Sequence, residues 1–268
     1  MSNKFTNSKT CHYTCFQKIA CKSLISLGRP AKKDGISRLA VEVGGAVETL
    51  DETRLLRIFL GRVRAWQEFM RKGANALGPE AEIGLIGEVA TLASLITQGL
   101  PAYFAVEGWV GPEDLVQDFE IGSGAIEVKT TISSIGFPAR IGSLEQLDNA
   151  VRQPLYLAGV RLLQTSTGNS LPDFVDNILS LISDDTQALH LFSNRLISAG
   201  YFKNHADRYT RRFVLSEIRL FEIGDGFPRI THATVPLGVI RATYDIDLDK
   251  VRTESVTLVT ALKNLGAL

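Results

Sequence analysis

The sequence has no excess charge of either sign, no long apolar run and very few cysteines. Its 29 basic and 29 acidic residues balance, so bulk charge does not indicate a nucleic-acid binder, and any basic surface must arise from local clustering. No run of about 18 apolar residues could span a bilayer, and the N-terminus lacks the apolar core of a secretory signal. These absences lead us to expect a cytoplasmic protein with no membrane partner.

The three cysteines, Cys11, Cys15 and Cys21, all fall near the start of the chain, beside His12. Their spacing matches no paired C-x-x-C pattern of the kind that predicts zinc, and an odd number argues against a disulfide framework. A zinc site and unpaired thiols in a loose tail therefore both stay open. The Ser-, Thr- and Lys-rich composition of residues 1–35 predicts a disordered tail.

The chain does contain enough apolar sequence for one large domain, since 45% of its 268 residues are hydrophobic. We expect residues 36–268 to form a single domain, with its core over about 80–166 and a C-terminal extension over 167–268. The spacing of apolar residues predicts the elements. Helices are expected over 51–73, 80–98, 144–152, 171–183 and 186–199, and strands over 36–43, 103–106, 115–121, 124–132, 138–143, 155–165, 210–223 and 233–244.

The segment 121–131, IGSGAIEVKTT, predicts a β-hairpin that turns at Gly122-Ser123. That register places Asp118 opposite Glu127, and Lys129 shares the face of Glu127 because side chains alternate along a strand. Two facing carboxylates and a lysine cost free energy unless a cation such as Mg²⁺ compensates. Lys129 would then act on the nucleophile or stabilise charge on a phosphate under attack. A screened surface cluster is the alternative interpretation.

A further acid, Glu88, lies on the helix predicted over 80–98, at the edge of its apolar stripe rather than on its polar side. An acid that faces the core needs a partner. Gly84 and Gly87 come just before it and would let the backbone approach a sheet closely. Two interpretations stay open, a glutamate that reaches solvent at the helix edge and a third acidic metal ligand.

Three short motifs together resemble the PD-(D/E)XK nuclease superfamily: GLIGEVATL with Glu88, QDFEIG with Asp118, and IEVKTT with Glu127 and Lys129. The proline of the superfamily name is replaced by Gln117. The chain is similar, more closely, to a bacterial branch of PD-(D/E)XK motif proteins found near phage-defence and restriction genes. Features of that branch extend over roughly residues 60–250 and include Trp66-Gln67, Trp109 to Pro112, Glu145 to Leu147, Gly200-Tyr201 and Phe227 to Ile230.

The resemblance implies both a fold and a chemistry. The implied fold is α/β (α+β), a restriction-endonuclease-like αβββαβ core with a central mixed β-sheet flanked by helices, and with C-terminal helical and β additions. The implied activity is metal-dependent hydrolysis of phosphodiester bonds in DNA, with Mg²⁺ as cofactor and Mn²⁺ as a substitute. Asp118, Glu127 and Glu88 are the implied metal ligands, and with Lys129 they form the implied catalytic set.

Residues around this set are accessory or DNA-binding candidates. Gln146 opens the helix predicted over 144–152, where some relatives carry a glutamine that contacts the catalytic centre or DNA, and an exposed surface glutamine is the alternative. Thr130 follows Lys129 and could contact phosphate, although threonine is also simply a good strand residue. The stretch KNHADRYTRR is a candidate DNA contact or a solvated charged loop. The DNA-binding candidates are Arg140, Lys203, Arg208, Arg211 and Arg212.

Three functions stay open for such a chain. They are a restriction or phage-defence endonuclease, a non-cleaving or partner-dependent DNA-binding or scaffold subunit of a defence complex, and a DNA-repair or junction-resolving nuclease. Expected partners are DNA and defence subunits such as a helicase/ATPase or a methyltransferase, and cutting both strands with one site per chain suggests a homodimer. Fold-level resemblance leaves the substrate form and its sequence specificity open.

Overall fold

The computed structural model describes residues 75–113 and 115–268. The chain divides into two compact units, Met1–Glu68 and Phe69–Leu268, and every described residue belongs to the second. The predicted tail with its cysteines, the predicted strand 36–43 and the predicted helix 51–73 lie outside the described residues.

Within these residues the chain forms five α-helices. The longest, α1, begins with Pro79, which lacks the N–H that would have no partner in the first helical turn. It ends before Gly99, whose φ of +104° is a conformation that glycine adopts readily. Ser170 and Asp173 form a capping box at the start of α3. The bounds are α1 Pro79–Thr97, α2 Ala102–Gly108, α3 Leu171–Leu181, α4 Thr186–Ser198 and α5 Leu258–Asn264.

The strands form a central mixed sheet and a small second sheet. Their bounds are β1 Phe119–Ile121, β2 Gly124–Thr131, β3 Pro138–Ile141, β4 Leu155–Asn169, β5 Phe213–Glu222 and β6 Tyr244–Asp247. The central sheet has the order β1-β2-β4-β5, in which only the β2–β4 pair is parallel. Strands β3 and β6 pair with each other. The predicted class, a mixed α/β fold with a central mixed sheet flanked by helices, is confirmed.

Two apolar clusters cover the two faces of the central sheet. On one face Ile126 and Val128 of β2 pack in the cluster that includes the buried side chains of the helices. On the other face Ala125 belongs to a second cluster, which the β3–β6 sheet covers. Because side chains alternate along a strand, Glu127 and Lys129 point to the side of Ala125. In the described part of the chain, no helix is both long and apolar enough to cross a membrane.

Three predicted elements are absent, or nearly absent, from the structure. The strand expected over 103–106 is helix α2, because Ala105, Val106 and Trp109 are buried at a helical rather than an alternating spacing. Just after α2, Trp109 forms a single β-bridge with Phe119. The prediction of a strand over 103–106, the first of the three consecutive strands in the expected αβββαβ core, is therefore wrong.

The helix expected over 144–152 is a series of turns. The Asp148 carboxylate accepts from the N–H of Ala150, and the Asn149 amide donates to the carbonyl of Ile223, so short polar side chains compete with helical hydrogen bonds. Of the strand expected over 233–244, only Tyr244 lies in a strand, as the first residue of β6. Pro236 and Gly238 interrupt the expected strand, since neither residue suits the interior of a strand.

Candidate active site

Helix α1 brings Glu88 to the central sheet. Leu85 and Val89 are buried, and Glu88 lies at the edge of this stripe with part of its surface exposed, as the periodicity predicts. Gly87 permits a close approach, because a Cβ there would lie 1.8 Å from Thr130 Oγ1 on β2. Glu88 therefore lies next to the strand that carries the Glu-x-Lys motif.

The hairpin between β1 and β2 turns at Gly122-Ser123, and Phe119 pairs with Ile126 as predicted. Gly122 has a φ of +55°, a conformation that glycine adopts without the steric penalty of a side chain. The hairpin register predicted from the sequence is confirmed.

Asp118 lies one residue before β1, beyond the last ladder pair. Its Oδ2 accepts a hydrogen bond of 2.7 Å from the backbone N–H of Val128, so the carboxylate occupies the edge of β2 where a longer β1 would have continued the ladder. Asp118 and Glu127 are thus close neighbours but not the directly opposed ladder pair that we predicted, because β1 has only three residues.

Glu127 and Lys129 form an ion pair on the face of β2 that also carries Ala125. Lys129 Nζ lies 2.6 Å from Glu127 Oε1, and the two side chains are 16% and 2% exposed. The other carboxylate oxygen of Glu127, Oε2, is buried and has no hydrogen-bond partner among the described residues. A buried, unpartnered carboxylate oxygen is costly in a folded protein, so this atom is a vacant acceptor directed into the site.

The loop after α2 contacts both Glu88 and Asp118. Trp109 Nε1 donates a 2.8 Å hydrogen bond to Glu88 Oε2, and the backbone N–H groups of Val110 and Gly111 both donate to the carbonyl of Asp118 at 2.9 Å. A Cβ on Gly111 would lie 2.8 Å from Asp118 Oδ1 and 3.3 Å from Glu88 Oε2. The structure therefore brings Glu88, Asp118, Glu127 and Lys129 together.

The sequence does not predict the role of Trp109, although the residue belongs to one of the motifs shared with the family. The usable signal was an indole beside two glycines in GWVGP, placed shortly before an acid. A buried indole N–H needs an acceptor, and an edge glutamate on the preceding helix is a suitable one.

Burial is the main cause of raised pKa values in the three acids. It raises the pKa of Glu88 from 4.5 to about 8; the charge of Asp118 adds to this, while the Trp109 hydrogen bond and the charge of Lys129 oppose it. Burial also raises the pKa of Asp118. For Glu127, burial and the charge of Asp118 raise the pKa well above its usual range. One lysine does not compensate three acids, so the site stabilises an added positive charge.

The carboxylates suit a divalent cation, although they are not arranged around one. Among residues 75–113 and 115–268, no three acidic, histidine or cysteine side chains form a ready-made metal cluster. One reason is that each carboxylate is drawn to an internal donor: Trp109, the Val128 N–H or Lys129. The vacant acceptor Glu127 Oε2 and the surplus of hard oxygen donors nevertheless match what Mg²⁺ binds.

The two accessory candidates lie beside this set in different ways. Thr130 Oγ1 is buried over Gly87 and has no hydrogen-bond partner in the described residues. The Gln146 side chain accepts from the N–H of Gly142 at 2.7 Å and so closes its own turn. The backbone of Gln146 is tied to the site, because Gln117 Nε2 lies 3.3 Å from the carbonyl of Glu145 and 3.5 Å from that of Gln146.

The predicted DNA-binding cations divide into engaged and unengaged side chains. Arg211 donates to Glu82 at 2.9 and 2.6 Å and stacks on Phe213, and Arg212 donates to the carbonyl of Gly168. The remaining three are exposed and form no ion pair with any described residue, and DNA contact by all five stays a prediction. These three are Arg140, Lys203 and Arg208.

The comparisons with known proteins agree with this geometry. A family model described as "Putative PD-(D/E)XK family member, (DUF4420)" matches residues 4–249. Because the match covers most of the 268 residues, the chain belongs to that family. The resemblance to the PD-(D/E)XK superfamily is confirmed, and because its members are generally nucleases that use divalent metals, the family points to a nuclease-like function. No curated protein and no solved structure matches the chain.

Proposed function

We propose that the protein is a metal-dependent endonuclease that hydrolyses phosphodiester bonds in DNA. The observation that carries the proposal is the meeting of Glu88, Asp118, Glu127 and Lys129 at one edge of β2. Three acids with raised pKa values face a single cation there. Such a site would repel a phosphodiester unless a divalent cation were bound, which supports metal dependence.

Each member of the set has a distinct role. Asp118 and Glu127 would hold the cation, which we assign as Mg²⁺ with Mn²⁺ as a substitute. Bound there, it supplies Lewis-acid polarisation of a phosphoryl oxygen and a nucleophile at neutral pH. Lys129 stabilises the charge that develops on the phosphate under attack. Glu88, oriented by the Trp109 indole, completes the acidic set from the helix side, directly or through a water.

The biological setting that we propose is restriction or phage defence. Its support is the resemblance to PD-(D/E)XK motif proteins found near such genes, through motifs that include Trp109 to Pro112 and the Glu127-x-Lys129 pair. The expected partner proteins are a helicase/ATPase or a methyltransferase.

Plasmid cleavage with matched variants tests the proposed activity. The protein is incubated with supercoiled plasmid, linear duplex and single-stranded DNA, each with Mg²⁺, with Mn²⁺ and with EDTA. Cleavage is expected only with metal, and Asp118→Asn and Lys129→Met are each expected to lower the rate by on the order of 100-fold or more. The product ends would distinguish nicking from double-strand cutting.

The control variants come from a second charged cluster on the same sheet. Asp249→Asn makes the same change as Asp118→Asn, and Arg219→Met, like Lys129→Met, replaces a cation with an uncharged side chain. Asp249 and Arg219 form an ion pair with each other. They are expected to retain cleavage within a few-fold. Equal loss in the control and site variants, with all four folded by circular dichroism, would contradict the assignment of the site.

The ion pair between Lys129 and Glu127 favours a second candidate, a subunit that needs a partner before it cleaves. At 2.6 Å this pair occupies both the ammonium and one carboxylate oxygen that the chemistry requires. Calorimetric titration with Mn²⁺ separates the candidates. Metal binding by a folded protein that cuts none of the three DNAs would support the partner-dependent subunit, whereas metal-dependent cutting by the isolated protein would reject it.

A further inference from the structure

An irregular loop projects from the β3–β6 sheet and is closed at its base. We call residues 231–243 the tip loop. The N–H of Ile230, just before it, donates to the hydroxyl of Tyr244, just after it, at 2.9 Å, and that hydroxyl lies 3.3 Å from the carbonyl of Ile230. The two ends of the tip loop are therefore held together by hydrogen bonds between Ile230 and Tyr244.

Each end of the tip loop is also fastened to the turns at 142–146. His232 Nε2 lies 2.8 Å from Glu145 Oε1, a hydrogen bond that lowers the pKa of Glu145 to about 2. At the other end the hydroxyl of Thr243 donates to the carbonyl of Gly142 at 3.3 Å. The loop is thus a braced projection and not a free strand end.

These turns connect the tip loop to the acidic site. Gln117, which directly precedes Asp118, donates its side-chain amide toward the carbonyls of Glu145 and Gln146 at 3.3 and 3.5 Å. The side chain of Gln117 therefore contacts the segment whose residue Glu145 holds His232. The base of the tip loop is thus joined to Gln117, the neighbour of Asp118, through Glu145, which contacts His232 with its side chain and Gln117 with its carbonyl.

The apex of the tip loop holds apolar side chains in solvent. The N–H of Val239 donates to the carbonyl of Pro236 at 3.1 Å, and Gly238 has a φ of +95°, as a β-turn with glycine at its third position requires. The turn raises Leu237 to its apex, fully exposed, and Ile240 follows at 87% exposed. These two side chains form a small apolar surface at a fixed turn, of the kind that an interaction can bury.

We propose that the tip loop is a nucleic-acid wedge, with Leu237 and Ile240 packing against or between bases next to the cleaved phosphate and Arg241 contacting the backbone. This inference rests on the proposed function and identifies how its site would hold DNA. Proteins that deform DNA insert leucine, isoleucine and proline between base steps in this way.

Three observations favour nucleic acid over a protein partner. The apex is narrow, with two prominent apolar side chains rather than a flat apolar face. Arg241, next to Ile240, is exposed and forms no ion pair with a described residue, so it is free to bind phosphate. Arg140 is also exposed on neighbouring β3, although Asp245 lies opposite it in the β3–β6 register.

Binding to a duplex with 2-aminopurine substitutions tests the wedge without cleavage. Wild type and the double variant Leu237→Ser/Ile240→Ser are titrated in EDTA, following both anisotropy and 2-aminopurine fluorescence. The double variant is expected to bind at least roughly tenfold more weakly and to lose the fluorescence rise that reports unstacking. Arg241→Ala is expected to weaken binding and to reduce the salt dependence by about one phosphate contact.

Val151→Ser is the matched control, because Val151 is 93% exposed and lies outside the tip loop. Wild-type binding that the double variant leaves unchanged would overturn the wedge while leaving the proposed function intact. A wild type that binds no DNA in EDTA would also overturn the wedge, and cleavage of plasmid with Mg²⁺ would then decide the proposed function separately. Self-association that the double variant abolishes, seen by sedimentation without any change in DNA affinity, would assign the loop to a protein interface and would also overturn the wedge.

Discussion

Two charged clusters lie side by side on the same face of the central sheet, and they are built in opposite ways. In one, Glu127 and Lys129 of β2 are joined by Glu88 and Asp118, three acids with one cation. In the other, Arg161 and Arg219 are joined by Glu217 and Asp249, two cations with two acids. The clusters are neighbours, because β2 and β4 pair in parallel and bring Thr131 opposite Arg161.

The balanced cluster satisfies itself. Arg161 and Arg219 each donate to Glu217, at 2.7 and 2.6 Å, and lie over the Phe137 ring at 4.3 and 5.0 Å from its centroid. These hydrogen bonds, that from Arg219 above all, lower the pKa of Glu217. A cluster that lowers the pKa of its acid gains stability from ionised groups.

The acidic cluster does the reverse, since burial raises the pKa of all three acids, and no residue in the described part of the chain donates to Glu127 Oε2. The same sheet can evidently balance charges when they are structural. The excess of acids around Glu127 and Lys129 is therefore best explained by a cation that binds when the protein functions.

The largest expected effect is on the pH dependence of stability without metal. A carboxyl whose pKa rises from 4.5 to about 8 on folding binds more protons in the folded state, so its contribution to stability is present at low pH and is lost as pH rises through that interval. Urea unfolding at about pH 5.5 and about pH 8.5 should differ by on the order of 3 kcal/mol. Glu88→Gln should remove much of the difference.

Asp173, in the capping box at the start of α3, provides the control for this pH profile. Hydrogen bonds from Ser170 lower the pKa of Asp173, so its contribution is lost only in acid, and Asp173→Asn should leave the slope between pH 5.5 and 8.5 unchanged. Saturating Mg²⁺ should flatten the wild-type profile because it supplies the missing charge. A flat wild-type profile without metal would show that the acids are not destabilised as a group.

The next largest effect on stability is expected at two glycines of α1, Gly87, which packs closely against β2, and Gly84, which does not. Gly87→Ala would place a Cβ 1.8 Å from Thr130 Oγ1 and 2.9 Å from Thr130 Cβ, so we expect a loss of about 1–3 kcal/mol in stability and displacement of Glu88. Gly84→Ala meets nothing within 4 Å and should stabilise by about 0.5–1 kcal/mol through helix propensity. Chemical denaturation measures both.

A second substitution tests the stated cause. Adding Thr130→Ala to Gly87→Ala removes the hydroxyl and methyl that clash and should restore part of the stability. If Gly87→Ala were as stable as Gly84→Ala, the close approach of α1 to β2 would not be the constraint that places Glu88.

Local patterns made one half of the acidic site predictable. The hairpin register follows from the Gly122-Ser123 turn and two-residue alternation, and the edge position of Glu88 follows from helical periodicity, so both could be derived from neighbouring residues. The strand expected at 103–106 failed because four apolar residues in a row fit a short helix as well as a strand.

The long-range half of the site could not be derived in this way. Gln117, beside Asp118, reaches the turns at 145–146. Outside the site, the predicted DNA contact Arg211 reaches Glu82, which lies 129 residues away in the chain. No local period encodes such contacts, because they depend on how the sheets and loops pack. The same holds for Trp109, whose partner Glu88 is 21 residues away and on a different element.

The smallest and most specific effect on stability is expected from loss of the hydrogen bond between Trp109 and Glu88. Trp109→Phe keeps an aromatic ring in the core but removes the N–H that stabilises the charged form of Glu88. The variant should therefore lose about 1 kcal/mol more at about pH 8.5 than at about pH 5.5, measured by urea unfolding. In a Glu88→Gln background the loss should become independent of pH. A loss that is equal at both pH values in the wild-type background would mean that Trp109 serves only to fill space against Phe192, and that its N–H does not stabilise the charged form of Glu88.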